Sequence, residues 1–179
     1  MRTVYLAGPE VFLPAAAEVG ARKKALCRER GLEGLFPGDA EVPAGPGADG
    51  AIFAACVAAM RMADVGVFNL TPFRGVGADV GTVWELGFMV GLGKPVWGYS
   101  NVAGPVLGRL PGAVRGVDGV WRDGAGWMAE DFGNGDNLMI DRSLPPGGFV
   151  RLDRGGRLDD LDGFVACLEL VRGGVRDGG

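Results

Sequence analysis

Short apolar segments alternate with helical segments over the first hundred residues, and this order restricts the fold more than any other feature. The predicted strands are residues 3–7, 32–36, 64–70 and 95–99. The predicted helices are residues 14–30, 51–63, 82–92 and, near the end, 159–171. Strands that alternate with helices form a parallel sheet with crossover helices. The sequence therefore predicts one α/β domain, a Rossmann-like parallel sheet flanked by helices, over residues 1–172.

The segments between these elements locate the expected site. Parallel sheets bind ligands beyond the carboxyl ends of their strands, so the loops that open at Gly8, Leu70 and Ser100 share that edge. Residues 41–50 are rich in Gly, Pro and Ala and are predicted to be a mobile loop that covers the pocket. Gly and Pro are too dense between residues 104 and 156 for elements to be predicted there. The tail from Gly173 is expected to be disordered.

Composition excludes several classes of function. The chain has a net charge of −4 and a pI of about 4.9, which argues against a polymeric nucleic acid as partner. It contains no histidine, so Ser–His or Cys–His catalysis and a His-ligated metal are excluded. The three cysteines are far apart, and neither a zinc site nor a disulfide framework is predicted. No metal or cofactor is expected.

The sequence also predicts the cellular compartment. No apolar run approaches the roughly 20 residues that are needed to span a bilayer. The N-terminal residues enter a strand at once, without the pattern of a signal peptide. We therefore expect a cytoplasmic protein with no membrane partner.

The stretch from Asn69 to Met89 carries the strongest chemical signal. It runs from a strand end through a glycine-rich loop, which contains Asp79, into a helix with Glu85 in its first turn or so. Glu85 shares a helix face with Phe88 and Met89, and a carboxylate on such an apolar face is costly to bury without a partner or a task. The helix dipole favours its ionised form, which suits attack on a sugar anomeric carbon. The alternative is a helix-start Glu that is satisfied by backbone N–H groups.

The glycines of this loop allow a second interpretation. Gly75, Gly77 and Gly81 resemble a phosphate-binding loop, but they match neither the Walker spacing nor GxGxxG, and the loop follows the third strand. Asp79 would also repel a phosphate.

Several segments together resemble the nucleoside 2-deoxyribosyltransferase family. In chain order they are YLAGPEVF at residues 5–12, the whole of residues 69–89, GKPV at 93–96, GYSN at 98–101 and DNLM at 136–139. The central block is the most specific, because few families combine a TPFRG loop with a DxGTxxE helix start. The resemblance implies a flavodoxin-like fold and a ping-pong reaction on 2′-deoxynucleosides and free nucleobases, a step of nucleoside salvage and nucleotide metabolism.

The resemblance also implies roles for three catalytic residues. Glu85 would attack C1′ and hold a covalent deoxyribosyl ester, through an oxocarbenium-like transition state. Asp79 would donate or accept the proton that the leaving base nitrogen needs. Tyr5 would steady the nucleophile, although without the resemblance it is equally consistent with a core aromatic.

Substrate-binding roles follow in the same way. The resemblance implies that Asn137 reaches the sugar of a neighbouring subunit, so the protein would be a homo-oligomer, a dimer or higher; alone, Asn137 would be a turn residue. Phe12 and Met139 would line the base pocket, and Gly8 opens the loop at this edge. Arg74 would either pair with a substrate phosphate or brace the loop.

One position departs from the family pattern. The resemblance places Cys56 where an Asp or Asn usually hydrogen-bonds the sugar 5′-hydroxyl, and a thiol is a weak hydrogen-bond partner. The substrate would then bind less tightly or carry a different 5′ group. The alternative is that Cys56 is a small buried residue on an Ala-rich helix.

Three functions are compatible with these residues. The first is transfer of 2-deoxyribose between bases through a glycosyl–Glu85 intermediate. The second is an N-glycosidase that hydrolyses nucleosides or their 5′-monophosphates, with water resolving the same ester. The third is a non-catalytic nucleoside sensor, which the paired carboxylates Glu85 and Asp79 disfavour. A flavin-binding or receiver domain is disfavoured, because the first βα turn has no phosphate-binding loop.

Overall fold

A central sheet of five parallel strands organises the protein, for which a computed structural model describes residues 1–39 and 45–173. The strands are β1 (Arg2–Ala7), β2 (Leu32–Leu35), β3 (Val65–Asn69), β4 (Val96–Ser100), β5 (Val114–Arg115), β6 (Trp121–Arg122) and β7 (Phe149–Arg151). The order in the main sheet is β2-β1-β3-β4-β7, and all neighbouring pairs are parallel. This is the flavodoxin-like order. β5 and β6 form a separate antiparallel hairpin.

Helices cover both faces of this sheet. They are α1 (Ala16–Arg28), α2 (Ala48–Met62), α3 (Val80–Gly91), α4 (Leu138–Asp141) and α5 (Asp162–Gly173). α1 and α5 contribute to the core on one face, and α2 and α3 contribute to the core on the other. The single α/β domain with a flanked parallel sheet, predicted from the sequence, is confirmed.

The first strand shows how the sequence builds two cores. Successive side chains of a strand point to opposite faces. Val4 and Leu6 therefore join the core under α1 and α5, whereas Tyr5 and Ala7 join the core under α2 and α3. All four are fully buried, as expected for a strand that is covered on both sides. This alternation points the Tyr5 side chain toward α2 and α3.

The sheet order fixes where a site can form. β1 pairs with β2 on one side and with β3 on the other, so the strand order reverses at β1. Ala7 is in register with Phe68, and the two strands end side by side. The segments that follow them diverge to different faces, which leaves a crevice at the carboxyl edge.

Several boundaries differ from the predictions. α2 begins at Ala48, so residues 48–50 are helical rather than part of the predicted loop, and residues 41–44 of that loop lie outside the described residues. α3 begins at Val80 rather than at residue 82. The last helix continues to Gly173, and the predicted disordered tail otherwise lies outside the described residues.

The region where no elements were predicted contains the fifth strand. β7 is only three residues long and follows Pro145, Pro146 and two glycines, so no periodicity marks it in the sequence. It adds to β4 and completes the edge of the sheet. The hairpin of β5 and β6 and the single turn of α4 lie in the same region.

Candidate active site

A cavity of about 510 Å³ lies at the carboxyl edge of β1 and β3. Its walls come from the turn after β1, the turn after β2, helix α2 and the start of helix α3. The lining residues are Gly8, Val11, Phe12, Pro37, Gly38, Ile52, Ala55, Cys56, Asp79, Gly81, Thr82 and Glu85. Most of this surface is apolar, with a few polar groups, as is typical of small-molecule sites. Five predicted site residues line it, namely Gly8, Phe12, Cys56, Asp79 and Glu85.

Glu85 is held by Tyr5, which is 80 residues earlier in the chain. The Tyr5 hydroxyl donates a hydrogen bond of 2.6 Å to Oε1 of Glu85. That distance is in the range of a hydrogen bond to a charged carboxylate. Tyr5 is rigidly placed because its ring is fully buried in the core between β1 and the α2–α3 layer. The bond occupies one carboxylate oxygen.

The surroundings of Glu85 hold its proton unusually tightly. Burial raises the pKa of Glu85 to about 7, the hydrogen bond from Tyr5 opposes that rise, and the charges of Asp79 and Glu10 add to it. Burial, followed by the nearby Glu85 charge, raises the pKa of Tyr5 above its usual value, so Tyr5 remains a donor at neutral pH. A carboxylate that titrates near neutrality in a crevice is typical of functional sites.

The prediction that Glu85 lies in the first turn or so of its helix places this residue slightly too early. Asp79 is the N-cap residue of α3, so Glu85 is the sixth helical residue and lies in the second turn. The alternative of a helix-start Glu that is satisfied by backbone N–H groups is therefore wrong. The dipole effect decays within the first turn, and Tyr5 provides the stabilising partner instead.

Asp79 caps helix α3 and faces the cavity. Its Oδ2 accepts hydrogen bonds from the Thr82 backbone N–H at 2.9 Å and from the Thr82 hydroxyl at 3.1 Å. Oδ1 makes no hydrogen bond with the described residues. A capping carboxylate is fixed in place, because its geometry is set by the helix terminus. Asp79 therefore offers one oxygen to a ligand in the cavity, on the same helix as Glu85.

Cys56 lies against the Tyr5–Glu85 pair on the α2 side. Burial raises the pKa of the Cys56 thiol, the adjacent Tyr5 hydroxyl lowers it, and the Glu85 charge raises it. Cys56 is half-buried and lines the cavity, so it is more than a core residue of an Ala-rich helix. Its neighbours in this wall, Ile52 and Ala55, are apolar.

Phe12, which lines the cavity, belongs to an aromatic stack. The rings of Phe12 and Phe73 lie 5.3 Å apart and within 5° of parallel. The guanidinium carbon of Arg74 lies 5.0 Å from the Phe12 ring centroid and 4.8 Å from that of Phe73. Arg74 has a positive φ of 54°, and it braces this stack through cation–π contacts.

Asn137 and Met139 do not enter the cavity of their own chain. Asn137 is the N-cap residue of α4, where its side chain accepts from the Met139 N–H at 3.0 Å and donates to Glu130 at 2.9 Å. Both residues are exposed, and Met139 is 70% accessible. The structure thus leaves them on the surface, where a neighbouring molecule could meet them.

The glycine-rich loop is fastened to the segment before α4. Asp136, which is buried, accepts a hydrogen bond of 2.7 Å from the Ala78 N–H. Arg109 donates to the carbonyl groups of Val76 at 2.8 Å and Gly135 at 2.6 Å. A loop amide that a phosphate would use is thus occupied by Asp136. The phosphate-loop interpretation therefore loses support.

Sequence reasoning missed a buried ion pair behind the cavity. Glu10 and Lys23 are both fully buried and bonded to each other. Lys23 falls on the same face of α1 as the buried residues Val19 and Cys27, four residues away on either side. That spacing is the sequence signal that could have identified Lys23 as an inward-facing cation. No comparable spacing in the sequence identifies Arg109 as a residue that holds the glycine-rich loop.

Two properties of the described residues concern ligands and membranes. Among residues 1–39 and 45–173, no cluster of three or more His, Cys, Asp or Glu side chains could hold a metal ion. Within the same ranges, no helix is long and apolar enough to cross a membrane.

The fold and the cavity define a flavodoxin-like α/β protein whose site joins a half-buried carboxylate to a buried tyrosine. The sequence model of the nucleoside 2-deoxyribosyltransferase family matches residues 4–139, and the chain belongs to that family. Members of the family act on nucleosides and nucleobases, and the chain is a deoxyribosyltransferase-type enzyme. The family resemblance seen in the sequence is confirmed.

Individual relatives agree with this assignment. An uncharacterized protein of Schizosaccharomyces pombe is 31% identical over 170 residues, which cover 84% of this chain and 81% of the relative. The structure of a 2-desoxiribosyltransferase from Leishmania mexicana matches with a TM-score of 0.67 and 25% identity, over 94% of this chain and 98% of that one. A 2-deoxyribosyltransferase from Bacillus psychrosaccharolyticus shares the fold, with a TM-score of 0.50 and 22% identity, over 79% of this chain and 82% of that one.

Proposed function

We propose that the protein transfers 2-deoxyribose from one nucleobase to another through a covalent ester on Glu85. The observation that carries this proposal is the hydrogen bond of 2.6 Å between Tyr5 and Glu85 at the wall of the cavity. It fixes one carboxylate oxygen and leaves Oε2 available to a substrate. Tyr5 also opposes the effect of burial and keeps a fraction of Glu85 ionised at neutral pH.

In the first half-reaction, Oε2 of Glu85 forms a bond to C1′ while the bond from C1′ to the base nitrogen breaks. The electron pair of that bond goes to the base, which takes up a proton. Asp79 lies on the same helix and has one free oxygen toward the cavity, so it is placed to relay this proton. Charge on the sugar is greatest in the oxocarbenium-like transition state, where the two carboxylates stabilise it.

In the second half-reaction, a different base attacks C1′ and releases Glu85. The same geometry serves both directions, because the incoming base occupies the position of the outgoing one. The ring of Phe12, which stacks on that of Phe73, provides an apolar wall for a planar base.

The charge of the cavity favours a neutral nucleoside over a 5′-monophosphate. Among the described residues that line it, the charged side chains are Asp79 and Glu85, and both are acidic. The sequence contains no Lys or Arg from residue 37 to residue 60, which includes the turn and helix beside Cys56. A phosphate held there would have no cation to pair with. Arg74 does not line the cavity and is held against the rings of Phe12 and Phe73.

We further propose that a second copy of the chain completes the site. Ile52 lines the cavity and is 49% exposed, and next to it Phe53 and Trp84 form a tilted aromatic pair with ring centroids 5.4 Å apart. This apolar surface adjoins the open side of the cavity. Asn137 lies outside the cavity of its own chain, so a partner seated on Phe53 and Trp84 would supply it in trans.

The test is one incubation with 2′-deoxyinosine, with and without adenine, followed by chromatography. Transfer predicts 2′-deoxyadenosine only when adenine is present, and none with Glu85→Ala. Glu18→Gln, a change at an exposed carboxylate on α1, is the matched control and keeps full activity. Mass spectrometry of the protein with 2′-deoxyinosine alone should show a mass increase of one deoxyribosyl group, which Glu85→Ala abolishes.

Two results would replace the proposal. Release of hypoxanthine at an equal rate without adenine would show an N-glycosidase that uses water to resolve the ester. Nucleoside binding that is unchanged in Glu85→Ala, with no turnover of any base, would show a sensor.

A further inference from the structure

A buried polar network lies behind the cavity, and its central member is Glu10. The side chain of Glu10 is fully buried in the turn at Pro9–Phe12 and does not line the cavity. Lys23 donates to Oε1 of Glu10, and the Asn69 amide donates to Oε2 at 2.9 Å. Both carboxylate oxygens are thus occupied by protein donors. We propose that Glu10 is a positioning residue that fixes the aromatic wall of the site, an inference that rests on the proposed function.

The network connects the turn after β1 to the loop after β3. Asn69, at the end of β3, extends the network to Thr71. Its Oδ1 accepts hydrogen bonds from the Thr71 hydroxyl at 2.6 Å and from the Thr71 N–H at 3.1 Å. Thr71 in turn accepts from the Asn101 N–H at 3.0 Å. Thr71 anchors the start of the loop that leads to Asp79. One carboxylate therefore ties two separate segments together.

Each of these segments contributes one ring of the stack. Phe12 ends the turn that contains Glu10, and Phe73 follows Thr71 by two residues. The rings lie within 5° of parallel although they come from segments some 60 residues apart. Their relative position depends on how the two segments are joined, and Glu10 and Asn69 provide the join. Gly8 leaves room for it, since a Cβ there would clash with the Glu10 carboxylate and lie 2.6 Å from Cβ of Asn69.

Energetics support a positioning role. A buried ion pair is costly to desolvate, and apolar residues of similar size often stabilise a fold equally well. Lys23 already lies against apolar surface, with its ammonium 4.9 Å from the Phe164 ring centroid. Directed hydrogen bonds from a carboxylate specify geometry, which apolar packing at the same place would not provide.

The test compares two double variants of the full chain, because removing one charge alone would leave the other unpaired in the core. E10Q/K23M removes both charges and keeps an acceptor for Asn69. E10L/K23M removes the charges and the acceptor. We measure hydrogen exchange in residues 8–13 and 71–79, and the KM of the acceptor base against kcat.

In E10L/K23M we expect exchange in both segments to be about tenfold faster, and the KM of the acceptor base about tenfold higher, with kcat changed by less than about threefold. E10Q/K23M should stay within about threefold of the wild type in all three quantities. This difference between the double variants is what a general loss of stability would not produce. Wild-type exchange in both segments of a folded E10L/K23M would overturn the proposal.

Two further outcomes are distinguishable. If E10L/K23M does not fold, Asn69→Leu removes the donor to Oε2 of Glu10 and leaves the Glu10–Lys23 ion pair intact. Faster exchange in residues 8–13 and 71–79 with a raised KM supports the proposal, and unchanged values overturn it. If no variant or wild type transfers a base but exchange follows the expected pattern, the positioning role of Glu10 stands and the proposed function fails.

Discussion

Tyr5 and Glu85 meet because the Tyr5 side chain points to the face of the sheet that α3 covers, and the Tyr5 hydroxyl reaches the Glu85 carboxylate at 2.6 Å. Glu85 must be ionised to act as a nucleophile, and its pKa is about 7. The pH dependence of kcat/KM reports the protonation states of the free enzyme. We therefore expect kcat/KM to fall as pH decreases through about 7, because protonation of Glu85 removes the nucleophile. A pH profile of kcat/KM from acid to neutral values measures this limb directly.

Removing the Tyr5 hydroxyl should weaken the nucleophile in two ways. Tyr5→Phe loses a hydrogen bond to a charged group, and we expect kcat/KM to fall by about 10- to 100-fold. Because the Tyr5 bond lowers the pKa of Glu85, the acid limb of the profile should also move to higher pH. Tyr99→Phe is a matched control, since the buried Tyr99 hydroxyl has no hydrogen-bond partner among the described residues. An acid limb that stays in place in Tyr5→Phe would contradict the coupling.

Glu85 should reduce stability above neutral pH. Its pKa is raised in the folded state from an ordinary 4.5 to about 7, so the folded state binds the extra proton between these values. The free energy of unfolding therefore decreases as pH rises through this window and is constant above it. Glu85→Gln keeps an acceptor for Tyr5 and removes the charge, so it should be more stable than the wild type by about 1–3 kcal/mol at slightly alkaline pH.

Denaturant titrations at several pH values would measure this difference. The gain should shrink as pH falls from about 7 and approach zero below 4.5, where Glu85 is protonated in both the folded and the unfolded state. Glu18→Gln, at an exposed position, serves as the control and should show no pH-dependent gain. An equal gain at all pH values would refute the assignment to Glu85 titration.

The contact between Asp136 and Ala78 should matter for catalysis at a distance. Asp136→Ala removes the buried acceptor of the Ala78 N–H, one residue before Asp79. Leaving that N–H unpaired should cost about 1–3 kcal/mol of stability. Loss of the fixed position of Asp79 should lower kcat/KM by about tenfold at temperatures where the variant is folded. The exposed Asp131→Asn is the control, and equal kinetics for both variants would contradict the expectation.

The aromatic surface on α2 and α3 should mediate self-association. Trp84 is 47% exposed and stacks on Phe88 with ring centroids 5.3 Å apart, so a charge at this position would oppose burial against a partner. Trp84→Glu should shift the protein toward monomer in sedimentation velocity and lower its specific activity in parallel. Val117→Glu, on the β5–β6 hairpin, should change neither. A wild-type protein that stays monomeric at all concentrations would argue against a shared site.

The sequence predicted four strands of the sheet, their crossover helices and five of the residues that line the cavity, because local patterns and a family resemblance identify them. Short apolar runs identified β1 to β4, and the block around Glu85 carries its own signature. The helix start was predicted two residues late, although Asp79 followed by Thr82 at the N3 position is a recognisable cap. Here the local signal existed and was outweighed by the glycines around it.

Other features depend on contacts between distant parts of the chain. β7 forms a strand because it pairs with the edge of β4. A segment of three residues after prolines and glycines has no periodicity from which a strand could be predicted. Arg109 acts through backbone carbonyl groups of two loops, which no spacing in the sequence encodes. The Glu10–Lys23 pair joins a turn to a helix. From sequence alone, Glu and Lys residues are usually expected to lie on the surface.

All described residues that line the cavity of one chain fall between Gly8 and Glu85, so the first half of the chain forms the cavity, while the second half supports it and, in the proposed assembly, contributes Asn137 to a neighbour. Substitutions that alter base preference can therefore accumulate in the first half while the second half is preserved. Chimeras that exchange this half between relatives would inherit the selectivity of the parent that supplies it, provided that position 78 keeps a backbone N–H to donate to Asp136. The arrangement makes the boundary after α3 a natural crossover point for recombination.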